Sequence, residues 1–557
     1  MPTPRSPIGL RPVAVAARDL AEVAIRAGAR PPTAGAAPVK ITGVCLDSRG
    51  VQPGDLYIAL PGSRTHGARF AGQAAQRGAA AVLTDPAGAD LLADLLADLL
   101  GEDGDDGLPV LVTADPRGRL GALAGWVYGD PAERLLMLGV TGTNGKTTTV
   151  HVMDSLLRTT GRTTGLIGTV EVHAGDLRGP SVRTTPEATD LHALLAVMLE
   201  QGATACSMEV SSHALALHRV DGVRFDVAGF TNLSQDHLDF HGSLEDYFAA
   251  KADLFTPERS RRGVVCVDDE WGVRMAATAG VPVQTLATDD TRADWCVAAA
   301  TGDATGTDVV ITGPGGVRVA GHVPLPGRFN VANAALAVVM LAAAGIDPAT
   351  AAGALGGAGG VPGRMERVAG PGAAGEPVGI VDYAHTPAAV AAALAALRPV
   401  TPGPLVVVLG AGGDRDPDKR PLMGAAAARG ADVVVVTDDN PRSEDAARIR
   451  SAVLDGARAA LGGRHVLVLE VADRREAVAE AVRLAWAGDG APVGTLLVAG
   501  KGHEPGQEIS GVVLPFDDRA VLAEALAAAS GAPPASARRT DRPVPSGGAA
   551  GSGGPAR

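Results

Sequence analysis

The run LLMLGVTGTNGKTTTV, residues 135–150, holds the residue types and spacing that bind a phosphate chain. An apolar strand feeds a turn containing Gly142 and Gly145, and Lys146 and Thr147 then open a helix-compatible stretch. Backbone N–H groups in such a turn surround phosphate oxygens, and the start of the helix adds favourable potential. Lys146 is placed to neutralise β- and γ-phosphates, and the Thr147 hydroxyl to ligate Mg²⁺. The common spacing G-x-x-x-x-G-K-[ST] would put glycine at 140, where this chain has Val140, so the motif is a variant, G-T-N-G-K-T. A phosphate loop alone leaves kinase, GTPase, motor and ligase chemistry open.

The elements around that loop alternate. Short apolar runs at Ala80–Leu83, Leu135–Val140, Leu405–Leu409, Val433–Val436 and Leu496–Val498 are separated by longer Ala/Leu-rich helical stretches, the pattern of α/β domains with parallel sheets. The length, 557 residues, accommodates several hydrophobic cores. An acidic, Gly-rich stretch near 101–118 and glycines closing on a proline near 355–363 read as boundaries. The expected units are residues 1–115 with a loose start of some ten residues, 116–363 carrying the phosphate loop, a Rossmann-like 364–530, and a tail, 531–557, too poor in large apolar side chains to fold. The duplication LLADLLADLL at 91–100 reads as an exposed helix.

Composition excludes several classes. Lys+Arg 49 against Asp+Glu 62 gives a net charge of -13, which opposes a general attraction to nucleic acid or anionic lipid. Cys45, Cys206, Cys266 and Cys296 lie far apart, so neither a disulfide framework nor a zinc knuckle is written here, and buried, idle thiols suit a reducing compartment. The longest apolar run, Ala334–Ile346, is too short to span a bilayer and reads as a buried helix. The N-terminus lacks the uninterrupted apolar stretch of a signal peptide, so the expected location is the cytoplasm.

Further motifs follow the phosphate loop in order: SMEVSSHAL (207–215), TNLSQDHLDFHG (231–242), AAKADLF (249–255), PGRFNVANAALA (326–337), GRMERV (363–368), VDYAHTP (381–387), GAGGDRDPDKRPLMG (410–424), DDNPRSED (438–445) and GKGHE (500–504). Together they resemble the Mur ligase family, ATP-dependent amide-forming enzymes of peptidoglycan assembly. The resemblance runs over roughly residues 40 to 520. It implies three α/β domains binding, in order, a uridine nucleotide, ATP and an amino acid. The implied reaction is attack of a D-glutamate γ-carboxylate on the ATP γ-phosphate, giving an acyl phosphate, then attack by an amine. Both first partners are anions, so most of the work is electrostatic and positional.

The resemblance also assigns residues. Gly142, Thr143, Asn144, Gly145, Lys146, Thr147 and Thr148 would hold ATP, with Asn330 and Arg364 on adenine and phosphate and Asp382 and His385 where the third domain closes. Thr147, Glu209 and His237 would hold a first Mg²⁺, and Lys251, carbamylated, would carry the negative charge for a second. Lys146, Lys251, Glu209 and His237 are thus the implied catalytic residues. By their types alone, Glu209 and His237 could equally be a structural pair, and Lys251 a helix-surface lysine.

The segment LDSRGVQPGDLYIAL (46–60) with PGSRTHGARF (61–70) resembles the family's uridine-nucleotide site, placing Leu46, Ser48, Ser63, Arg64 and Thr65 on it. Thr184, Thr185, Ser211, Leu217 and Arg219 match contacts to a muramoyl dipeptide, UDP-N-acetylmuramoyl-L-Ala-D-Glu. Some relatives carry glutamine at the place of Leu217, so one hydrogen bond is absent or replaced here. A guanidinium fork orients an anionic peptide bidentately, although Arg219 could instead pair with Asp221 on the surface.

The form DNPR at 439–442 resembles that of members adding meso-diaminopimelate, whose second carboxylate lysine lacks. Asp439, Asn440, Pro441 and Arg442 would then contact that substrate, Arg442 its carboxylate, with Arg415 on a carboxylate, Gly500 alongside and Glu504 on the distal ammonium. The implied activity is addition of meso-diaminopimelate to the D-Glu γ-carboxylate by a monomer with no nucleic-acid partner and no membrane insertion. The alternatives are a lysine-adding ligase or a folylpolyglutamate-synthase-like ligase. A non-catalytic scaffold is disfavoured by the intact Lys146, Glu209, Lys251 and Arg442, and a GTPase by the lack of a guanine-reading motif.

Overall fold

The computed structural model describes residues 11–31, 38–62, 64–100, 108–303, 306–368, 376–486 and 492–530, with the side chains of 94–100 and of 303 left aside. The expected loose start, the tail 531–557, the acidic stretch 101–107 and Ser63 lie outside these residues.

The chain begins with β1 (Arg18–Asp19) and β2 (Lys40–Ile41), paired antiparallel. A parallel sheet follows, in which β3 (Gly43–Cys45), β4 (Asp55–Ala59), β5 (Ala81–Thr84) and β6 (Val110–Val112) lie in chain order. The expectation of an exposed helix at 91–100 needs correction. Residues Pro86–Leu100 are helical, and of the side chains described in the repeat Ala93 is exposed while Leu92 is buried in the cluster that holds Tyr57 and Val82, because an apolar residue beside the sheet is covered by it.

The central sheet has eleven strands: β7 (Leu136–Thr141), β8 (Thr164–Ile167), β9 (Glu171–Ala174), β10 (Leu177–Pro180), β11 (Ala205–Glu209), β12 (Val227–Phe230), β13 (Gly263–Cys266), β14 (Val283–Ala287), β15 (Trp295–Asp303), β16 (Gly306–Gly313) and β17 (Val317–Val323). Their order is β10-β9-β8-β11-β7-β12-β13-β14-β15-β16-β17. The strands from β8 across to β15 run parallel, and both ends are antiparallel extensions. β7 thus lies between β11 and β12, and the phosphate loop leaves its C-terminal end, where ligands of open α/β sheets bind. The helix Arg328–Ala343 contains most of the apolar run and is apolar almost all round. It packs on the phosphate-loop helix Lys146–Thr159 and on the sheet, and ends at Gly345, whose φ of 86° stops it short of Ile346.

The third sheet contains β18 (Glu366–Val368), β19 (Val378–Asp382), β20 (Leu405–Leu409), β21 (Val433–Val436), β22 (Leu467–Glu470) and β23 (Thr495–Ala499), in the order β18-β19-β23-β20-β21-β22. All but β18 are parallel, and the all-Val β21 reads as a strand buried on both faces. A hairpin, β24 (Gly506–Ile509) with β25 (Val512–Pro515), follows GKGHE. Every strand expected from the apolar runs lies within one residue of its position. All four cysteines are free and buried, and burial pushes the Cys206 and Cys266 thiols up. Among the described residues no helix is long and apolar enough to cross a membrane.

Candidate active site

Gly145 caps the helix Lys146–Thr159 with a φ of 89°, a left-handed conformation that favours glycine and lets the loop turn tightly into the helix. The loop is braced from β12: Thr143 N donates to Asn232 O at 2.8 Å, Asn144 N to Asn232 Oδ1 at 3.1 Å, and Thr231 Oγ1 to Asn144 O at 2.6 Å. Lys146 Nζ donates to the carbonyls of Gly142 and Thr143, each at 2.8 Å. Lys251 Nζ reaches the same Gly142 carbonyl at 2.9 Å, so the two ammonium groups meet at one oxygen. Lys251 is 1% exposed, on the helix Leu244–Ala252, and lies over the Tyr247 ring. Burial, then the charge of Lys146, holds its ammonium well below the usual lysine range. A helix-surface lysine is therefore excluded.

Glu209, at the end of β11, is also 1% exposed. Its Oε2 accepts from Thr147 Oγ1 at 3.0 Å and Thr169 Oγ1 at 3.1 Å, and its Oε1 from Thr169 N at 2.7 Å. A buried carboxylate beside a hydroxyl is an oxygen donor set suited to Mg²⁺. His237 is drawn elsewhere, toward Asp236 at 3.4 Å and edge-on to His213. Burial brings its imidazole down to about 4, with Asp236 opposing and His213, Lys146 and Lys251 adding to the fall. Among the described residues no three His, Cys, Asp or Glu side chains converge as a ready-made metal cage.

The third sheet folds over this loop. Arg364 Nη2 donates to Thr147 Oγ1 at 3.2 Å while its guanidinium lies over the Tyr383 ring. Asp382 was expected at the nucleotide, but both its carboxylate oxygens are taken by backbone, Oδ2 by Met365 N at 2.7 Å and Oδ1 by Ala384 N at 2.9 Å. It shapes the turn that presents Arg364. His385 lies 4.0 Å from Asp236, again across the lobes. Asn330, 2% exposed, donates to Pro326 O at 2.8 Å and so locks the start of its own helix. Thr148 is buried in the helix below the loop.

Thr184 and Thr185 join the same network. Thr169 Oγ1, its proton directed at Glu209, accepts from Thr184 Oγ1 at 3.1 Å, and Thr185 Oγ1 donates to Glu209 O at 2.8 Å, while Ser211 N donates to Thr185 Oγ1 at 3.1 Å. Arg219 does not pair with Asp221, which binds His218 and Arg259 instead; its Nε meets Glu187 Oε1 at 2.9 Å. Leu217 offers its carbonyl to Arg117 Nη1 at 3.2 Å, so the backbone is the polar group at this position.

In the third unit, Asn440 Nδ2 donates to Glu504 Oε2 at 2.9 Å and the buried Lys501 donates to Asn440 Oδ1 at 2.9 Å. Gly500, with φ 118°, brings the chain against the Asp439 carboxylate, where a Cβ would collide. Arg442 follows Pro441 with φ 51° and is clamped by the hairpin: its N donates to Glu508 O at 3.0 Å and Ser510 N donates to its carbonyl at 2.7 Å. Its side chain donates to Gly413 O at 2.6 Å and lies 3.4 Å from Glu508 Oε2. A Cβ on Gly412 would sit 3.0 Å from Arg442 Nη1 and 3.9 Å from Arg415 Cγ, so the two arginines flank one bare backbone segment. In the first unit Ser48 Oγ donates to Gln73 Oε1 at 2.6 Å, Leu46 is half-buried, and Arg64 and Thr65 are exposed on the 61–66 turn.

Sequence reasoning missed Asp236, Lys501, Arg183, Glu187 and Arg117. The first two lie inside the quoted QDHLD and GKGHE motifs, and Arg183 and Glu187 flank Thr184–Thr185 at a spacing of four.

Residues 40–114 match the Mur ligase family, catalytic domain; 140–341 the Mur ligase middle domain; and 363–502 the Mur ligase, glutamate ligase domain. A UDP-N-acetylmuramoyl-L-alanyl-D-glutamate--2,6-diaminopimelate ligase of Streptomyces coelicolor is 53% identical over 93% of this chain and 98% of its own. A UDP-N-acetylmuramyl-tripeptide synthetase of Leifsonia xyli is 47% identical over 92% and 97%. A solved UDP-N-acetylmuramoyl-L-alanyl-D-glutamate--2,6-diaminopimelate ligase superposes with a TM-score of 0.62 at 32% identity, covering 92% of this chain and 99% of that one. The chain belongs to the Mur ligase family.

Proposed function

We propose that the protein joins meso-diaminopimelate to the D-Glu γ-carboxylate of UDP-N-acetylmuramoyl-L-Ala-D-Glu at the expense of ATP; its Streptomyces relative is named a UDP-N-acetylmuramoyl-L-alanyl-D-glutamate--2,6-diaminopimelate ligase. Residues 1–115 take the uridine nucleotide through Leu46, Ser48 and the Ser63–Thr65 turn, 116–363 take ATP, and 364–530 take the amino acid. The enzyme works as a monomer in the cytoplasm. The observation that carries the reading is Arg364, delivered by the third unit onto Thr147 of the phosphate loop, above two lysines that share the Gly142 carbonyl.

The chemistry needs two anions, a carboxylate and a γ-phosphoryl group, to approach. Lys146 and Arg364 cancel their repulsion from opposite lobes, in a site whose burial strengthens each charge. Mg²⁺ would be held by the Thr147 hydroxyl and the Glu209 carboxylate and would supply charge neutralisation on the phosphates; His237, the third ligand the resemblance implies, is turned toward Asp236. Burial and the charge of Lys146 disfavour the ammonium form of Lys251, which suits it to carbamylation with release of a proton; the carbamate would put an anion where the resemblance implies a second Mg²⁺. Thr184, Thr185 and Ser211 line the peptide's path to Glu209. Closure of the third unit keeps water from the acyl phosphate until the amine arrives.

At the amino-acid end, Arg442 and Arg415 face a carboxylate and Glu504 the distal ammonium. Phosphate release from ATP with UDP-N-acetylmuramoyl-L-Ala-D-Glu, measured with meso-diaminopimelate and with L-lysine, tests the reading. Release with diaminopimelate alone is expected; release with lysine alone overturns the acceptor, and release with neither overturns the reaction.

A further inference from the structure

Three guanidinium groups from three separate elements meet at one carboxylate. Arg183 Nη1 lies 2.7 Å and Arg219 Nε 2.9 Å from Glu187 Oε1, and Arg117 Nη1 lies 3.3 Å from Oε2. Arg117 comes from the first turn of the helix Pro116–Val127, which Asp115 caps, Arg183 from the loop before the helix Ala188–Glu200, and Arg219 from the turn after Ser212–Ala216. Glu187 and Arg219 are largely buried, at 16% and 15% side-chain exposure, and Arg183 is half open to solvent at 53%. Glu187 is the one carboxylate in ion-pair contact with all three arginines; Asp190 nearby feels Glu187, Arg11, Arg183 and Asp47. Three guanidiniums on a single carboxylate have donor capacity left for a further anion.

The location says which anion. Arg183 directly precedes Thr184 and Thr185, whose hydroxyls connect through Thr169 and Ser211 to Glu209. A D-glutamyl residue with its γ-carboxylate at the phosphate loop carries its α-carboxylate at the other end of a three-carbon chain, and Arg183 is the cation that adjoins the Thr184–Thr185 pair. Arg219 faces Glu187 through Nε as an ion pair without hydrogen-bond geometry, and among the described residues its terminal nitrogens make no hydrogen bond that would compete with a second carboxylate.

We propose that Arg183 joins Arg219 in gripping the α-carboxylate of the D-glutamyl residue, and that Glu187 is the positioning residue that sets both guanidiniums. The inference rests on the proposed reaction. It is tested with UDP-N-acetylmuramoyl-L-Ala-D-Glu and its D-isoglutamine analogue, which keeps the γ-carboxylate but carries an amide in place of the α-carboxylate.

The wild-type enzyme should show a KM for the analogue about tenfold above that for the substrate, the size of one charge-assisted contact. In Arg183→Ala that ratio should fall at least threefold, with kcat and the KM for ATP within about twofold of wild type. Glu187→Ala should also lower the ratio, and Glu187→Asp should restore it in part. An active Arg183→Ala enzyme with the wild-type ratio overturns the clamp alone, as does a variant whose KM rises equally for ATP and both peptides. A wild-type enzyme that releases no phosphate with the natural peptide overturns the proposed reaction, and the clamp with it.

Discussion

Arg364 and Thr147 are joined by a hydrogen bond from guanidinium Nη2 to hydroxyl Oγ1 at 3.2 Å, although 217 positions separate them in sequence. The Thr147 hydroxyl in turn donates to Glu209 Oε2 at 3.0 Å, so the third unit is connected through one hydroxyl to the carboxylate at the end of β11. Arg364→Ala should therefore cost kcat/KM for ATP about 10²-fold, the effect of losing one charge that stabilises a phosphoryl transition state. Steady-state kinetics check it; a change confined to the peptide KM would show that Arg364 serves the wrong substrate.

Lys251 and Lys146 share a carbonyl but not a task. Lys251→Ala should lose at least about 10²-fold in kcat, and formate or acetate should restore part of it by supplying the missing carboxylate. Lys146→Ala should lose as much with no recovery, because no added anion replaces a cation. Equal behaviour of the two variants in a phosphate-release assay would end the distinction.

Arg442 is held by the hairpin rather than by its own loop, its N–H and carbonyl both spent on the 508–510 backbone. Its guanidinium is thus fixed before any substrate arrives. Arg442→Ala should lower kcat/KM for meso-diaminopimelate by about 10- to 100-fold and leave that for L-lysine within about twofold, since only the former has a second carboxylate to lose. A uniform loss for both acceptors would make Arg442 a structural residue.

Asp154 lies on the phosphate-loop helix, 9% exposed, with His173 Nε2 at 3.0 Å and Arg158 Nε at 3.1 Å. Burial alone would raise its carboxyl, but the hydrogen bond and charge of His173, with help from Thr164 and Arg158, hold it below the ordinary carboxylate range. A depressed native value means stability that is present above the unfolded value of about 3.9 and is lost as pH falls through the native one. Asp154→Asn should cost about 2–4 kcal/mol at pH 7 by stranding a buried imidazole and a guanidinium. Denaturant melts at pH 7 and below pH 4 check it: the difference from wild type should shrink in acid, and a constant difference would contradict the linkage.

The strands were readable because apolar runs such as Val433–Val436 are buried on both faces and have no other stable place. The phosphate loop was readable for a related reason: glycines with positive φ, a lysine and a threonine must fall in order for backbone to wrap a phosphate. The partners of the site were harder. Asp382 sits inside VDYAHTP, yet whether its oxygens meet a ligand or the amides of Met365 and Ala384 depends on a turn no local pattern encodes. Arg219 had an acidic neighbour two positions away, but the helix Ser212–Ala216 turns Asp221 toward Arg259 and leaves Glu187, 32 positions back, as the partner. The duplicated LLADLLADLL suggested a solvent face because its period was read without the sheet that Leu92 covers.

β7 lies in the interior of the eleven-stranded sheet, bonded to β11 on one side and β12 on the other, with the loop that grips phosphate leaving its end. Amide protons of Leu138–Val140 can reach solvent only when the sheet itself opens, so their deuterium uptake should be the slowest in the chain. Those on the 506–515 hairpin, with Val512 and Val513 more than half exposed, should exchange early. On the proposed reading the working parts are therefore anchored at opposite ends of the local-opening scale: nucleotide on the last segment to loosen, and choice of amino acid beside one of the first.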